Sequence, residues 1–264
     1  MSRINSTFTK LSNKNKKALI PFITAGDPHP EMTLDLLHAL VDSGADMIEL
    51  GIPFSDPMAD GPVIQRASER ALANNVGISQ TIDLVKEFRT KNKTTPIILM
   101  GYANPIEAIG VDNFVKLIKD AEVDGVITVD YPPEESVDFV ALLQKNNIDS
   151  IFLLSPTTED KRVQLIIEQA TGFIYYVSLK GVTGSSNIDI KQVTDRVNNI
   201  RKYTKMPIGV GFGVRDAKTA KEVASFADAV VIGSKIVLEV ENSKKEDLIG
   251  NIKNLMGEIK EAIQ

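Results

Sequence analysis

Eight short apolar runs recur along the chain at intervals that leave room for a helix between each pair. They are LIPFITA (19–25), MIELG (47–51), PIILMG (96–101), GVITVD (125–130), SIFLLS (150–155), FIYYVS (173–178), PIGVGF (207–212) and DAVVIGS (228–234). None alternates polar with apolar residues as a half-exposed strand would, so each reads as a strand covered on both faces, as in a parallel sheet. The segments between them carry apolar residues at helical spacing: Leu34, Leu37, Leu40 and Val41; Ile78, Ile82, Val85 and Phe88; Phe114, Leu117, Ile118 and Ala121; Val163, Ile166, Ile167 and Ala170; Leu248, Ile252, Leu255, Ile259 and Ile263. Eight strands alternating with helices over 264 residues fit a closed (β/α)8 barrel, a TIM barrel, better than an open doubly wound sheet. With no linker or low-complexity segment in sight, residues 1–264 are expected to form a single domain. The long connection after the second strand has room for an extra helix, PVIQRASERALANN, and VIGSKIVLEV after the eighth opens another.

Barrel enzymes place their chemistry at the C-terminal ends of the strands. Glu49 falls there, inside the second apolar run, and a carboxylate in a strand buried on both faces costs several kcal/mol unless paired or protonated. Two readings fit: a catalytic acid–base whose pKa burial has raised, or a structural ion pair at a strand end. Asp60 follows eleven residues later in the loop SDPMADGP. It is either a second functional carboxylate or the N-cap of the extra helix, with Pro62 near the first helical position. Asp56-Pro57 is a ready turn former.

Glycines mark a second candidate site. GVGFGV (209–214) is spaced G-x-G-x-G and so departs from the dinucleotide fingerprint, but it ends the seventh strand, while Gly233 and Ser234 end the eighth. Loops there, with a helix N-terminus, bind phosphate through backbone N–H groups in many barrels; the alternative is that the glycines merely turn the chain. Gly181 to Ser186, GVTGSS, has the small residues of a lid over such a site or of a plain surface loop.

Absences narrow the chemistry. There is no cysteine, and the two histidines are His29 beside prolines and His38 in a helical pattern, which disfavours a metal cage or a Ser-His-Asp triad. SDPMADG lacks the spacing of a calcium loop. Lys180 and Lys235 lie near strand ends and are the candidates for a Schiff base, though in loop-like contexts. A net charge of −5 with scattered Lys and Arg gives no electrostatic ground for a nucleic-acid or anionic-membrane partner, and no run approaches the ~20 apolar residues of a membrane span. A cytoplasmic, metal-free acid–base enzyme acting on a phosphorylated small molecule is expected.

IELGIPFSDPMADGP (48–62) closely resembles the signature of the tryptophan synthase alpha chain family, and PFITAGDP (21–28), NPI (104–106), VDGVITVDYPPEE (123–135), SPTT (155–158), GVTG (181–184), GVGFGV and IGSKIV (232–237) follow in family order. Departures are Met58 for the usual Leu, Ala103 for an aromatic, Glu122 where Gly is frequent, Tyr131 for Leu, and Leu179-Lys180 where many members carry Arg. The resemblance implies the (β/α)8 barrel, with an extra N-terminal helix besides those in the loops after strands 2 and 8. It also implies retro-aldol cleavage of indole-3-glycerol phosphate to indole and glyceraldehyde 3-phosphate. Glu49 would be the general acid–base and Asp60 would assist at the indole nitrogen. Phe22, Met100, Tyr102, Ile127, Leu153, Tyr175 and Phe212 would line the indole pocket, and Thr183 would hold Asp60. Gly184, Gly213, Gly233 and Ser234 would cradle the phosphate. The chain would need no cofactor or metal of its own. Its partner would be a pyridoxal-phosphate-dependent beta chain, in an assembly of two alpha and two beta chains, met through Asp56, Asn104 and Pro105.

Overall fold

The computed structural model describes residues 2–177, 190–211 and 213–264. Its strands are β1 (Ala18–Thr24), β2 (Ile48–Gly51), β3 (Ile97–Gly101), β4 (Gly125–Thr128), β5 (Asp149–Ser150), β6 (Phe152–Leu154), β7 (Ile174–Val177), β8 (Ile208–Gly211) and β9 (Ala229–Ile232). Every pairing is parallel, in the order β5-β4-β3-β2-β1-β9-β8-β7-β6. The single fifth strand expected over 150–155 is thus divided at Ile151. Its first half pairs with β4 and its second with β7, while the Ile151 N–H still donates to Val126 O at 3.0 Å. Strands in a barrel tilt, so one strand can spend its two ends on different neighbours. That exchange closes the ring of a (β/α)8 barrel.

Alternation along each strand divides the core in two. Leu19 and Ile23 of β1, Ile48 and Leu50 of β2, and Ile97 and Leu99 of β3 face the helices. The residues between them, including Ile20, Ile98 and Ile127, fill the barrel interior. By this period of two, Glu49 points inward, in register with Phe22 on one side and Ile98 on the other.

Helices α2 (Pro30–Asp42), α4 (Ile78–Lys91), α6 (Val111–Asp120), α7 (Val137–Lys145), α8 (Asp160–Gln169), α9 (Ile190–Ile200), α10 (Ala217–Ala224) and α12 (Leu248–Ala262) alternate with the strands. The expected additions are present: α1 (Arg3–Ser12) at the N-terminus, α3 (Pro62–Ala73) after β2 and α11 (Ser234–Asn242) after β9. A further short helix, α5 (Ala103–Ile109), was not foreseen. Seven residues are too few to display a 3.6-residue period, and its first N–H is held by the Asp130 carboxylate at 2.8 Å. Helix α1 starts at Ser2, whose Oγ accepts from Asn5 N and donates to Asp149. It inserts Ile4 and Phe8 beneath the barrel interior, with the Phe8 ring 5.7 Å from that of Phe173.

Around the same end, the buried Asp124 carboxylate accepts from Arg89 at 2.6 Å, Arg3 at 2.9 Å and Ile97 N at 2.8 Å. Glu122 takes a φ of 57°, a backbone conformation that favours glycine. Its ion pairs with Arg3 at 2.5 Å and Lys93 at 2.9 Å offset the strain of a left-handed backbone. No helix among the described residues is long and apolar enough to cross a membrane.

Candidate active site

At the C-terminal mouth of the barrel lies a cavity of about 760 Å³, whose lining includes Glu49, Asp60, Gly213, Gly233 and Ser234. Phe22, Met100, Leu153 and Tyr175 line it as well. The two carboxylates and the glycines singled out from sequence therefore share one hollow.

Glu49 is fully buried, and neither carboxyl oxygen has a hydrogen-bond partner among the described residues. Among the described residues no ion pair accounts for a carboxylate here. Burial pushes its pKa up to about 8, so the group is mostly protonated at neutrality and able to release that proton. Burial raises the Tyr175 pKa well above its ordinary value, and the nearby Glu49 and Asp60 carboxylates add to that rise, which leaves its hydroxyl neutral.

Asp60 is not a helix cap. The N-cap of α3 is Gly61, with Pro62 at the first helical position, and the Asp60 carboxylate instead accepts from Tyr102 Oη at 2.9 Å. Tyr102 Oη in turn accepts from Ala59 N at 3.1 Å, and Gln65 donates to the Asp60 carbonyl at 2.9 Å, so the loop is held at both ends of this short segment. Asp60 is half-buried, less enclosed than Glu49. Burial raises its pKa, and the Tyr102 hydrogen bond works against that rise.

Tyr102 does not wall the main cavity. It faces a narrow adjoining recess with Thr24, Ser68 and Asp60, and stacks against Phe54 at 5.2 Å. Ile127 is also displaced from its expected role: it is fully buried in the barrel interior with Ile98 and Ile151, below the cavity wall. Thr183, Gly184, Phe212 and Lys180 lie outside the described residues, as does the GVTGSS segment. Asp56 and Asn104 are exposed, Pro105 is partly so, and Met58 beside Asp56 is 78% exposed. Tyr131 donates to Glu107 of α5 at 2.5 Å, so this departure from the family pattern braces the helix that carries Asn104.

Of the glycines expected to cradle phosphate, Gly213 has a φ of 52° and Gly233 is the N-cap of α11, leaving Ser234 at its first turn. Gly211 has a different reason to be glycine: a Cβ there would lie 2.2 Å from Tyr175 Oη. Gly211→Ala is expected to push Tyr175 into the cavity, costing roughly 1–3 kcal/mol of stability and lowering turnover. Thermal denaturation and steady-state kinetics would check this; an unchanged enzyme would mean that the Tyr175 ring is free to move. Lys235 is ion-paired with Glu239 at 3.2 Å, unlike the desolvated lysine of a Schiff-base enzyme.

Sequence reasoning missed Val63 and Ile64 of α3 and Leu238 of α11, which also line the cavity, together with Val129 and Arg215. Their signal was only that of an ordinary amphipathic helix or strand end. Among the described residues no group of three or more His, Cys, Asp or Glu is placed to hold a metal.

A family model for the tryptophan synthase alpha chain matches residues 8–264. The tryptophan synthase alpha chain of Janthinobacterium sp. (strain Marseille) is 58% identical over 263 residues, covering 100% of this chain and 99% of that protein. The corresponding chain of Nitrosomonas europaea is 54% identical, covering 100% and 96%. Among solved structures, tryptophan synthase subunit alpha from Legionella pneumophila str. Paris superposes with a TM-score of 0.94 at 43% identity, covering 100% of this chain and 98% of that one. An aminoacrylate-bound tryptophan synthase from M. tuberculosis gives 0.90 at 30% identity, covering 100% of both chains. Similarity over the full length, on a barrel whose mouth holds the family's motif residues, shows that the chain belongs to the tryptophan synthase alpha chain family.

Proposed function

We propose that Glu49 and Asp60 divide between them the acid–base work of the family's reaction, the cleavage of indole-3-glycerol phosphate to indole and glyceraldehyde 3-phosphate. The observation that carries this reading is the Glu49 carboxyl, fully buried and without a hydrogen-bond partner among the described residues, on the same cavity as Asp60; burial pushes its pKa up to about 8. Protonated Glu49 delivers its proton to indole C3, turning the ring into an electron sink. Positive charge then develops at the ring nitrogen, where an ionised Asp60 accepts the N–H and stabilises it. The Glu49 carboxylate now removes the proton of the side-chain hydroxyl. The carbon–carbon bond breaks, its electrons return to the ring, an aldehyde forms, and Glu49 is again protonated. One group serves both steps because its pKa lies near the working pH.

Tyr102 keeps Asp60 oriented, and its hydrogen bond favours the ionised form that the step requires. Phe22, Met100, Leu153 and Tyr175 supply the apolar walls for the indole. Backbone N–H groups at Gly213, Gly233 and Ser234, with the N-terminus of α11, receive the phosphate. The 264 residues act as one barrel domain in the cytoplasm, without a cofactor of their own. Asp56, Asn104 and Pro105 face a pyridoxal-phosphate-dependent beta chain in an assembly of two alpha and two beta chains.

The direct test is to mix the chain with indole-3-glycerol phosphate, without added cofactor, and follow indole release. Borohydride added during turnover should trap no adduct; a stable covalent adduct would indicate Schiff-base chemistry instead. Asp60→Asn is expected to fold normally, since Asp60 caps no helix, yet to lose roughly 10²-fold or more in kcat, the scale of a lost transition-state electrostatic partner. Retained activity with a lowered melting temperature would assign Asp60 a purely structural role.

A further inference from the structure

Helix α3 begins two residues after Asp60, and α11 begins at the phosphate cradle; the two helices pack side by side. On their inner side, Ala67 of α3 and Val237 of α11 meet Phe22, while Val63, Ile64 and Leu238 line the cavity together with Asp60 and the glycines. On their outer side stands a cluster of charges that the proposed reaction does not use. Arg66 and Arg70, one turn apart on α3, both reach Glu241 in the last turn of α11. Arg66 grips it with two bonds of 2.7 Å and Arg70 adds a third at 2.8 Å. The same Arg70 forks onto Asp27, at 2.7 and 3.1 Å, in the turn that follows β1. Asp27 is only 2% exposed.

We propose that Arg66, Arg70 and Glu241 form a clamp that sets the spacing between Asp60 and the phosphate cradle, so that the two ends of the substrate are held at the separation needed for cleavage. The inference rests on the assignment of Asp60 and of Gly233–Ser234 to the indole and phosphate ends. Its physical basis is the division of labour across two helices. Their buried meeting point, Ala67 and Val237 around Phe22, is made by small helix side chains with no directional bond between them. Bidentate guanidinium–carboxylate pairs fix direction as well as distance. Asp27 ties the clamp to the barrel itself: through Arg70, α3 and α11 are referenced to the end of β1, the strand whose Phe22 lines the cavity. These are positioning residues, for none of the three lines the cavity.

A clamp of this kind has a signature that general stabilisation lacks. It should matter for a ligand that spans both ends and not for one that occupies either end alone. The variant of choice is Glu241→Gln, which keeps the size of the side chain, removes the charge that both arginines share and leaves the Arg70–Asp27 pair in place. Three quantities are measured on the full-length chain: kinetics with indole-3-glycerol phosphate, the dissociation constant of glycerol 3-phosphate as a phosphate-end probe, and the melting temperature. The expected result is a fall in kcat/KM of roughly tenfold, the scale of a small misplacement between reacting groups. Affinity for glycerol 3-phosphate should stay within about twofold of the parent. Arg66→Gln, which removes only the exposed half of the clamp, should give a smaller loss of the same kind and serves if Glu241→Gln folds poorly. Kinetics unchanged in both variants would overturn the proposal. So would equal weakening of substrate and glycerol 3-phosphate, which would place the damage in the phosphate cradle. The assignment of the catalytic pair fails separately, if Asp60→Asn retains activity.

Discussion

Glu49→Gln is expected to lower kcat by at least the ~10²- to 10⁴-fold that general acid–base catalysis supplies, while substrate still binds. Glutamine preserves the shape of the side chain and its burial but can neither deliver a proton to indole C3 nor take one from the hydroxyl. Near-normal turnover in this variant would remove Glu49 from the mechanism. The same substitution carries a second, opposite effect. The Glu49 carboxyl titrates near an ordinary 4.5 when the chain is unfolded and near 8 when it is folded. Below about pH 4.5 it is neutral in both states and contributes no pH dependence. Between the two values the folded chain binds a proton that the unfolded chain has released, so stability falls as pH rises, and above about 8 the loss is complete. Integrated over that window the loss is on the order of 4–5 kcal/mol. Glutamine carries no such penalty. Denaturation midpoints for parent and variant should therefore differ more at pH 8.5 than at pH 5.5, with the variant gaining relative to the parent as pH rises. Parallel curves would mean that Glu49 is ionised throughout, contrary to its role as the acid.

Asp124→Ala should be the most damaging change away from the site. Asp124 and Arg89 are each nearly inaccessible, with side chains 4% and 3% exposed, and the carboxylate also satisfies Arg3 and Ile97 N. Removing it strands a buried guanidinium and an amide, a loss of about 3–5 kcal/mol. Against a typical total of about 5–15 kcal/mol that is a large share. Equilibrium urea unfolding gives the measurement. A loss under about 1 kcal/mol would show that Arg89 finds enough compensation in its bonds to the carbonyls of Thr95, Asn92 and Glu122.

The barrel was legible because burial on both faces leaves a continuous apolar run, and eight such runs spaced by helices admit few other architectures. Glu49 stood out for the same reason: an ionisable group within such a run conflicts with its surroundings, and that conflict is visible in one dimension. Asp60 was found, but its hydrogen-bond partner was not. Composition shows a polar loop, whereas the burial of Asp60 depends on the approach of Tyr102, 42 residues away in sequence. Ile127 was misplaced because the end of a strand and its interior differ by a single residue, less than the precision with which a pattern locates a strand end. Helix α5 was too short for its periodicity to register. The arginines of α3 looked like an ordinary solvated face; only the fold brings Glu241, 171 residues beyond Arg70, into contact with them.

Helix α1 acts as a stopper. With Ile4 and Phe8 seated under the interior side chains, the vessel is plugged at its base, and its cavity lies at the rim. Substrate and both products must then use the same doorway, so the aldehyde and the aromatic fragment have to depart in sequence past whatever stands at that threshold. A companion protein docked there would decide which of them leaves into solvent and which is handed on.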